Sequence, residues 1–342
     1  MYGVRGRRRF RRPRGGIVRQ IRVLVLLSVF AVFAFSTAAA AGDASEKLTG
    51  DLPRVLAEAG PDELIPVSIV LEDQLQGSRL TARAERLAPG DPARRRALVD
   101  ALKEHADRTQ GPLRAFLADR RLEGRADRIQ PLWIGNVVAA ELTADLVRRV
   151  AARDEVARVN WAPKVDVFLE RTPSRFGESP VDSGAGADGG TIAAVECGTD
   201  LMGAPQVWNE LGTTGSGAVV AVIDSGVCWS HPDIVNQIWV NPGEDLDGDG
   251  VVMDVDDENG VDDDGNGFVD DLIGWDFDTD DNDPDDNNSH GSHCAGTVAG
   301  DGTSGTQAGM APNASVMIVR VGLTFSDEVS VWSGMQYAAD NG

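Results

Sequence analysis

The chain has 342 residues, 42% of them hydrophobic, and its 54 acidic against 32 basic residues leave a net charge of −22. That length has room for two or three domains, and the hydrophobic share suits ordinary globular cores. Beyond Arg175 the only lysine or arginine is Arg320, which argues against nucleic acid as a partner and fits an exported, metal-binding body.

The amino terminus carries Arg7-Arg8-Arg9-Phe10-Arg11-Arg12, an apolar run over residues 23–35 and four alanines at 38–41. A basic flank, a short apolar stretch and small residues describe a secretory signal peptide over residues 1–41, hence a secreted product. The run is short for a membrane span, so no stable membrane association is expected after signal cleavage; an uncleaved anchor is the alternative. The paired arginines lie far from the apolar run, which favours the general export route over a twin-arginine signal. Cys197, Cys228 and Cys294 are too few and too scattered for a disulfide framework, and spacing leaves a Cys197–Cys228 bridge open.

Residues 46–171 read as one small domain. Leu64-Ile-Pro-Val-Ser-Ile-Val-Leu71 is a strand. Residues 93–122 place Leu98, Ala101, Leu102, Leu113, Phe116 and Leu117 at helical spacing, with Gly111-Pro112 expected to break the helix in two. One or two strands are expected over 129–142 around Gly135-Asn136, a helix over 144–153 capped by Thr143, and a strand over 156–168. A β-α-β-β-α-β order suggests a ferredoxin-like α+β module, a fold that by itself states no function. Residues 172–196 turn to Ser, Gly, Ala, Asp and Pro and read as a flexible linker.

The remainder, 197–342, alternates strands and helices as an α/β doubly wound, mostly parallel sheet does. Its centre is Ala218-Val-Val-Ala-Val-Ile-Asp224, an apolar run bounded by Gly217 and Gly226 and ending in a carboxylate. Such a run reads as a strand buried on both faces of a parallel sheet, and chemistry gathers beyond the carboxyl ends of such strands. A lone Asp there is more often a turn residue. Downstream, however, His290-Gly-Ser-His-Cys-Ala-Gly296 opens a helix of small residues that can press close to its neighbours. An acid followed by a histidine supplies two parts of a nucleophilic triad.

The motifs Val222-Ile-Asp224-Ser-Gly-Val227 and His290-Gly-Ser-His-Cys-Ala-Gly296, with Ser230-His231-Pro232-Asp233-Ile234 between them, resemble those of the subtilisin-like serine peptidases. The resemblance implies a secreted endopeptidase acting on protein or peptide substrates, with Asp224 and His290 catalytic. It implies that 46–171 is a propeptide, an intramolecular inhibitor until it is cleaved within 172–196. His231 would support its loop, and Cys294 would be a free cysteine beneath the histidine. The family's serine motif, Gly-Thr-Ser-x-Ala, and its oxyanion asparagine are expected beyond Gly342, so the chain as given is expected to be inactive alone. Gly302-Thr303-Ser304 is not that motif, because Gly-Thr follows it and it comes too soon after His290.

Between the two motifs lie Asp245-Leu-Asp247-Gly-Asp249-Gly250 and Asp262-Asp-Asp264-Gly-Asn266-Gly267-Phe-Val-Asp270. Oxygen ligands at alternate positions with glycine sixth are what an EF-hand-type calcium loop needs. The first loop has Asp256 at its twelfth position; the second has Ile273 there, so Asp270 at the ninth is expected to contribute. The plainer reading is a solvated acidic loop. Calcium here would be structural rather than a Lewis acid in the reaction. The competing function, from a different class, is a non-catalytic secreted calcium-binding or propeptide-like inhibitor module.

Overall fold

The computed structural model describes residues 44–75, 92–163, 194–322 and 328–342. The signal segment, the linker through residue 193 and the end of the strand expected over 156–168 lie outside the described residues. No described helix is long and apolar enough to cross a membrane.

The amino-terminal unit contains α1 (Leu52–Glu58), β1 (Leu64–Leu71), α2 (Pro92–Leu122), β2 (Ala126–Leu132), β3 (Val137–Thr143), α3 (Ala144–Ala151) and β4 (Val156–Trp161). Its strands pair antiparallel in the order β2-β3-β1-β4, the arrangement that the β-α-β-β-α-β order implies. Period-two alternation sorts the side chains onto two faces. Ile65, Val67, Ile69 and Leu71 of β1 join Val138, Ala140 and Leu142 of β3 in one core, closed by Leu52 and Leu56 of α1, Leu113 and Leu117 of α2, and Leu146, Val147 and Val150 of α3. Val70, Val137 and Ala139 point to the other face.

Two local expectations need correction. The helix does not break at Gly111-Pro112: α2 runs unbroken past Pro112. Proline forfeits one helical hydrogen bond there, but Leu113 and Leu117, both fully buried, anchor the following turns to the sheet. Thr143 occupies the N-cap of α3 yet makes no capping hydrogen bond, and its buried Oγ1 has no partner among the described residues.

The carboxyl-terminal unit contains β5 (Ala194–Val195), α4 (Cys197–Leu201), α5 (Ala204–Leu211), β6 (Val219–Asp224), β7 (Gly274–Asp276), α6 (His290–Ala299), β8 (Thr306–Gln307), β9 (Ser315–Arg320) and α7 (Glu328–Asn341). Ala194-Val195, expected to be linker, instead pairs parallel with Thr306-Gln307. Strands β6, β9 and β7 form a parallel sheet with β9 central, and Asp224 and Asp276 both stand opposite Arg320. Alternation along β9 builds two cores: Val316 and Ile318 meet Ala295 and Ala299 of α6 on one face, while Met317 and Val319 meet Tyr337 of α7 on the other. Helices on both faces make this an α/β doubly wound unit. Contrary to expectation, β6 is not buried on both faces. Among the described residues it pairs only with β9, and Val219 is 40% exposed.

The helix α7 also seals the other unit. Its Val329 and Trp332 pack on Val70, Leu132, Val137 and Ala139, and Gln130 Nε2 donates to Ser333 Oγ at 2.8 Å. Arg320 pairs with Asp276, a fully buried carboxylate. Removing the cation leaves that charge uncompensated, so Arg320→Met should cost about 3–5 kcal/mol in urea unfolding. An unchanged midpoint would show that the pair contributes nothing.

Candidate active site

Asp224 closes β6, and His290 is the first residue of α6. Two glycines bring these elements together. A Cβ at Gly291 would lie 2.0 Å from the Gly226 carbonyl oxygen and 3.1 Å from Asp224 Cβ, so any other residue would push the helix off the strand end. Gly226 has φ +98°, and a Cβ there would meet the carbonyl oxygens of Pro284 and Asp285 at 2.5 Å.

The result is a tight acid–imidazole pair. His290 Nδ1 lies 2.7 Å from Asp224 Oδ1 and 2.8 Å from Oδ2. A carboxylate accepts only when Nδ1 carries the proton, which leaves the Nε2 lone pair free. Among the described residues Nε2 has no hydrogen-bond partner, and the His290 side chain is 43% exposed against 13% for Asp224. Asp224 Oδ1 also accepts from the Ser225 amide at 2.7 Å, which fixes the carboxylate plane.

Cys294 lies one turn along α6, its Sγ 3.8 Å from His290 Nδ1. Burial and the Asp224 charge push this thiol above its ordinary value. It is therefore a protonated neighbour on the side of the ring that already has a partner, and it does not serve as a nucleophile. All three cysteines are free, so there is no Cys197–Cys228 bridge. His231 holds its own loop by accepting from the Asp233 amide at 3.2 Å.

Residues 215–342 match the family described as the subtilase family. Bacillopeptidase F of Bacillus subtilis is 29% identical over 232 residues, spanning 66% of this chain and 14% of that protein. Thermitase of Thermoactinomyces vulgaris is 33% identical over 149 residues, 42% of this chain and 40% of its own length. Among solved structures, fervidolysin of Fervidobacterium pennivorans, a keratinolytic enzyme related to subtilisin, aligns with 83% of this chain and 35% of its own at 16% identity and a TM-score of 0.40. The chain thus spans well under half the length of these relatives.

In this unit the helix carrying His290 is held by a residue that motif reading did not single out for this role. The N-cap Ser289 makes no side-chain cap. Asp286 replaces it, accepting from the amides of Asn288 at 2.8 Å, Ser289 at 2.9 Å and Ser292 at 2.9 Å. Asp286 also receives the Ser225 hydroxyl at 2.8 Å, and Ser225 Oγ accepts from the Gly291 amide at 3.0 Å. One carboxylate thus joins the loop after Asp224 to the helix of His290. An acid shortly before a helix start was the available signal.

The acidic insert folds into two carboxylate groups. Asp245 and Asp247 meet Asp257, and Asp262 and Asp264 meet Glu244; within each group three oxygens lie within 4.8 Å of one another. The other sequence candidates stand differently. Asp249 accepts from the Val251 amide, Asp270 from the amides of Asn259 and Gly260, and Asp256 is exposed beside Asp257. Asn266 directs its Nδ2 at Asp264 Oδ2, 3.1 Å away, and at Asp271 Oδ2, 3.0 Å away. The insert's sequence pattern missed Glu244 and Asp257, because Glu244 precedes both loops and Asp257 lies one residue past the expected twelfth position.

Burial, opposed by hydrogen bonds from Tyr337, Asn266 and Asn241, raises the Asp271 carboxyl to about 6. Partial burial would raise Asp286 too, but hydrogen bonds from Ser292, Asn288 and Ser225 outweigh it and leave that carboxyl below its ordinary value. A lowered folded value makes the Asp286 contribution complete above the unfolded value, about pH 4, and lost as pH falls through the folded one. The stability gap between wild type and Asp286→Ala should therefore be widest near neutral pH and close in acid. A gap independent of pH would contradict the capping role of the charge.

Proposed function

We propose that the protein is a secreted serine endopeptidase made as a precursor and that Asp224 and His290 are two members of its triad. The observation that carries this reading is the Asp224–His290 pair with Nε2 free and the ring exposed. In the proposed mechanism His290 Nε2 takes the proton from a serine hydroxyl as the oxygen attacks the peptide carbonyl, then gives it to the leaving amine. Asp224 remains ionised, holds the tautomer and stabilises the imidazolium.

In the same reading residues 1–41 direct export, 46–171 act as folding aid and intramolecular inhibitor, cleavage falls within 172–196, and the substrates are proteins or peptides. The packing of β2 and β3 against α7 supports a propeptide held on the enzyme.

Calcium is the structural cofactor of this proposal. Glu244 is fully buried with Oε2 unpartnered, and Asp257, 3% exposed, has Oδ2 unpartnered among the described residues. A buried bare carboxylate oxygen beside two further carboxylates suits a hard cation. Asp262 and Asp264 would hold one ion with Glu244, and Asp245 and Asp247 another with Asp257. Bound calcium would supply charge neutralisation that keeps the insert closed.

Two measurements test these assignments. A fluorophosphonate should label the active peptidase at a serine, and His290→Ala should abolish labelling; undiminished labelling would sink the triad, leaving the inhibitor or binding-module reading. Calcium against chelator should raise the melting temperature, and Glu244→Gln together with Asp257→Asn should remove that rise. No rise in the wild type would argue for a plain acidic loop.

A further inference from the structure

The proposed second cation site does not end at its ligands. Asp264 Oδ2 accepts from Asn241 Nδ2 at 3.0 Å and from Asn266 Nδ2 at 3.1 Å. Both amides also reach Asp271, Asn241 to Oδ1 and Asn266 to Oδ2, each at 3.0 Å. Asp271 is fully buried, and its Oδ2 receives the hydroxyl of Tyr337 at 2.6 Å. Tyr337 lies on α7, is 2% exposed and is the largest fully buried side chain among the described residues. Its ring packs edge-on against Phe268, centroids 5.0 Å apart, and Phe268 lies within the second acidic loop.

The same helix α7 seats the amino-terminal unit. Besides Val329, Trp332 and Ser333, Gln336 Oε1 accepts from the Trp133 amide at 2.8 Å. Lys103 Nζ lies 2.8 Å from Asp340, and Ser68 Oγ donates to Glu328 Oε2 at 3.1 Å. One helix thus touches both the acidic loop's hydrogen-bond network and the four-stranded sheet.

We propose that calcium at the Glu244–Asp262–Asp264 site sets the grip of the amino-terminal unit on α7, through Asn266, Asp271 and Tyr337. This rests on the calcium reading given above. Without a cation the three carboxylates repel one another, Asp264 moves away from the two amides, and the network that positions Tyr337 loosens. With the cation the network is fixed, so the face carrying Trp332 and Gln336 is presented as the sheet requires. Removal of calcium would then ease release of the amino-terminal unit, and by linkage a bound amino-terminal unit would tighten calcium.

Hydrogen exchange on the full chain, with calcium and with chelator, tests this without any substitution. Calcium should slow amide exchange in 244–267, in α7 and in 130–139 by roughly 5- to 150-fold, while leaving α3 and β4 unchanged. In Tyr337→Phe, calcium should still protect 244–267 but lose its effect on α7 and 130–139. Protection confined to the loop would overturn the coupling and leave the calcium site standing. Equal slowing in α3 and β4 would also overturn it, as general stabilisation. No protection at 244–267 would remove the calcium reading and the coupling with it.

Discussion

The geometry of the site depends on one backbone approach, the start of α6 pressed onto the end of β6. Gly291 tolerates the Gly226 carbonyl at a distance that no side chain could share, and Gly226 in turn sits beneath Pro284 and Asp285. Close packing of this kind turns two marginal side-chain positions into a fixed pair, because neither element can slide without a clash. The Ser225–Asp286–Ser292 bonds then hold the same contact from the polar side. Asp224 and His290 meet because their backbones do, and the imidazole is left with one nitrogen committed and one available.

The rest of the carboxyl-terminal unit supports that contact from the sheet. Strand β9 pairs with both neighbours and offers alternate residues to α6 and α7, so the helix of His290 and the helix that seats the amino-terminal unit share one strand. Arg320 at its end is the single cation of the acidic half, and it neutralises Asp276 where the chain leaves β7. The acidic insert hangs from this end of the sheet, with Asp271 and Tyr337 linking it to α7.

Much of this arrangement was written in local chemistry. The unbroken β-branched run into Asp224, the small residues after His290 and the bounds of β1 all follow from patterns that the structure reproduces. What escaped the pattern depends on partners distant in sequence. Pro112 does not break its helix because Leu113 and Leu117 are buried in a core assembled from three helices and a sheet. Thr143 leaves its cap unmade although its position is right. The apolar run of β6 reads the same whether its edge is paired or bare. Glu244 and Asp257 escaped because a twelve-residue template counts along the chain, whereas a cation would gather oxygens through space.

The state of the His290 imidazole tests the account most directly. In protein labelled with nitrogen-15 histidine, the Nδ1 proton of His290 should appear as a protected, low-field resonance, with Nε2 unprotonated at neutral pH. Asp224→Ala should abolish that resonance. A His290 ring protonated at Nε2 in the wild type, or a low-field signal indifferent to Asp224, would contradict the pairing on which the proposed chemistry is built.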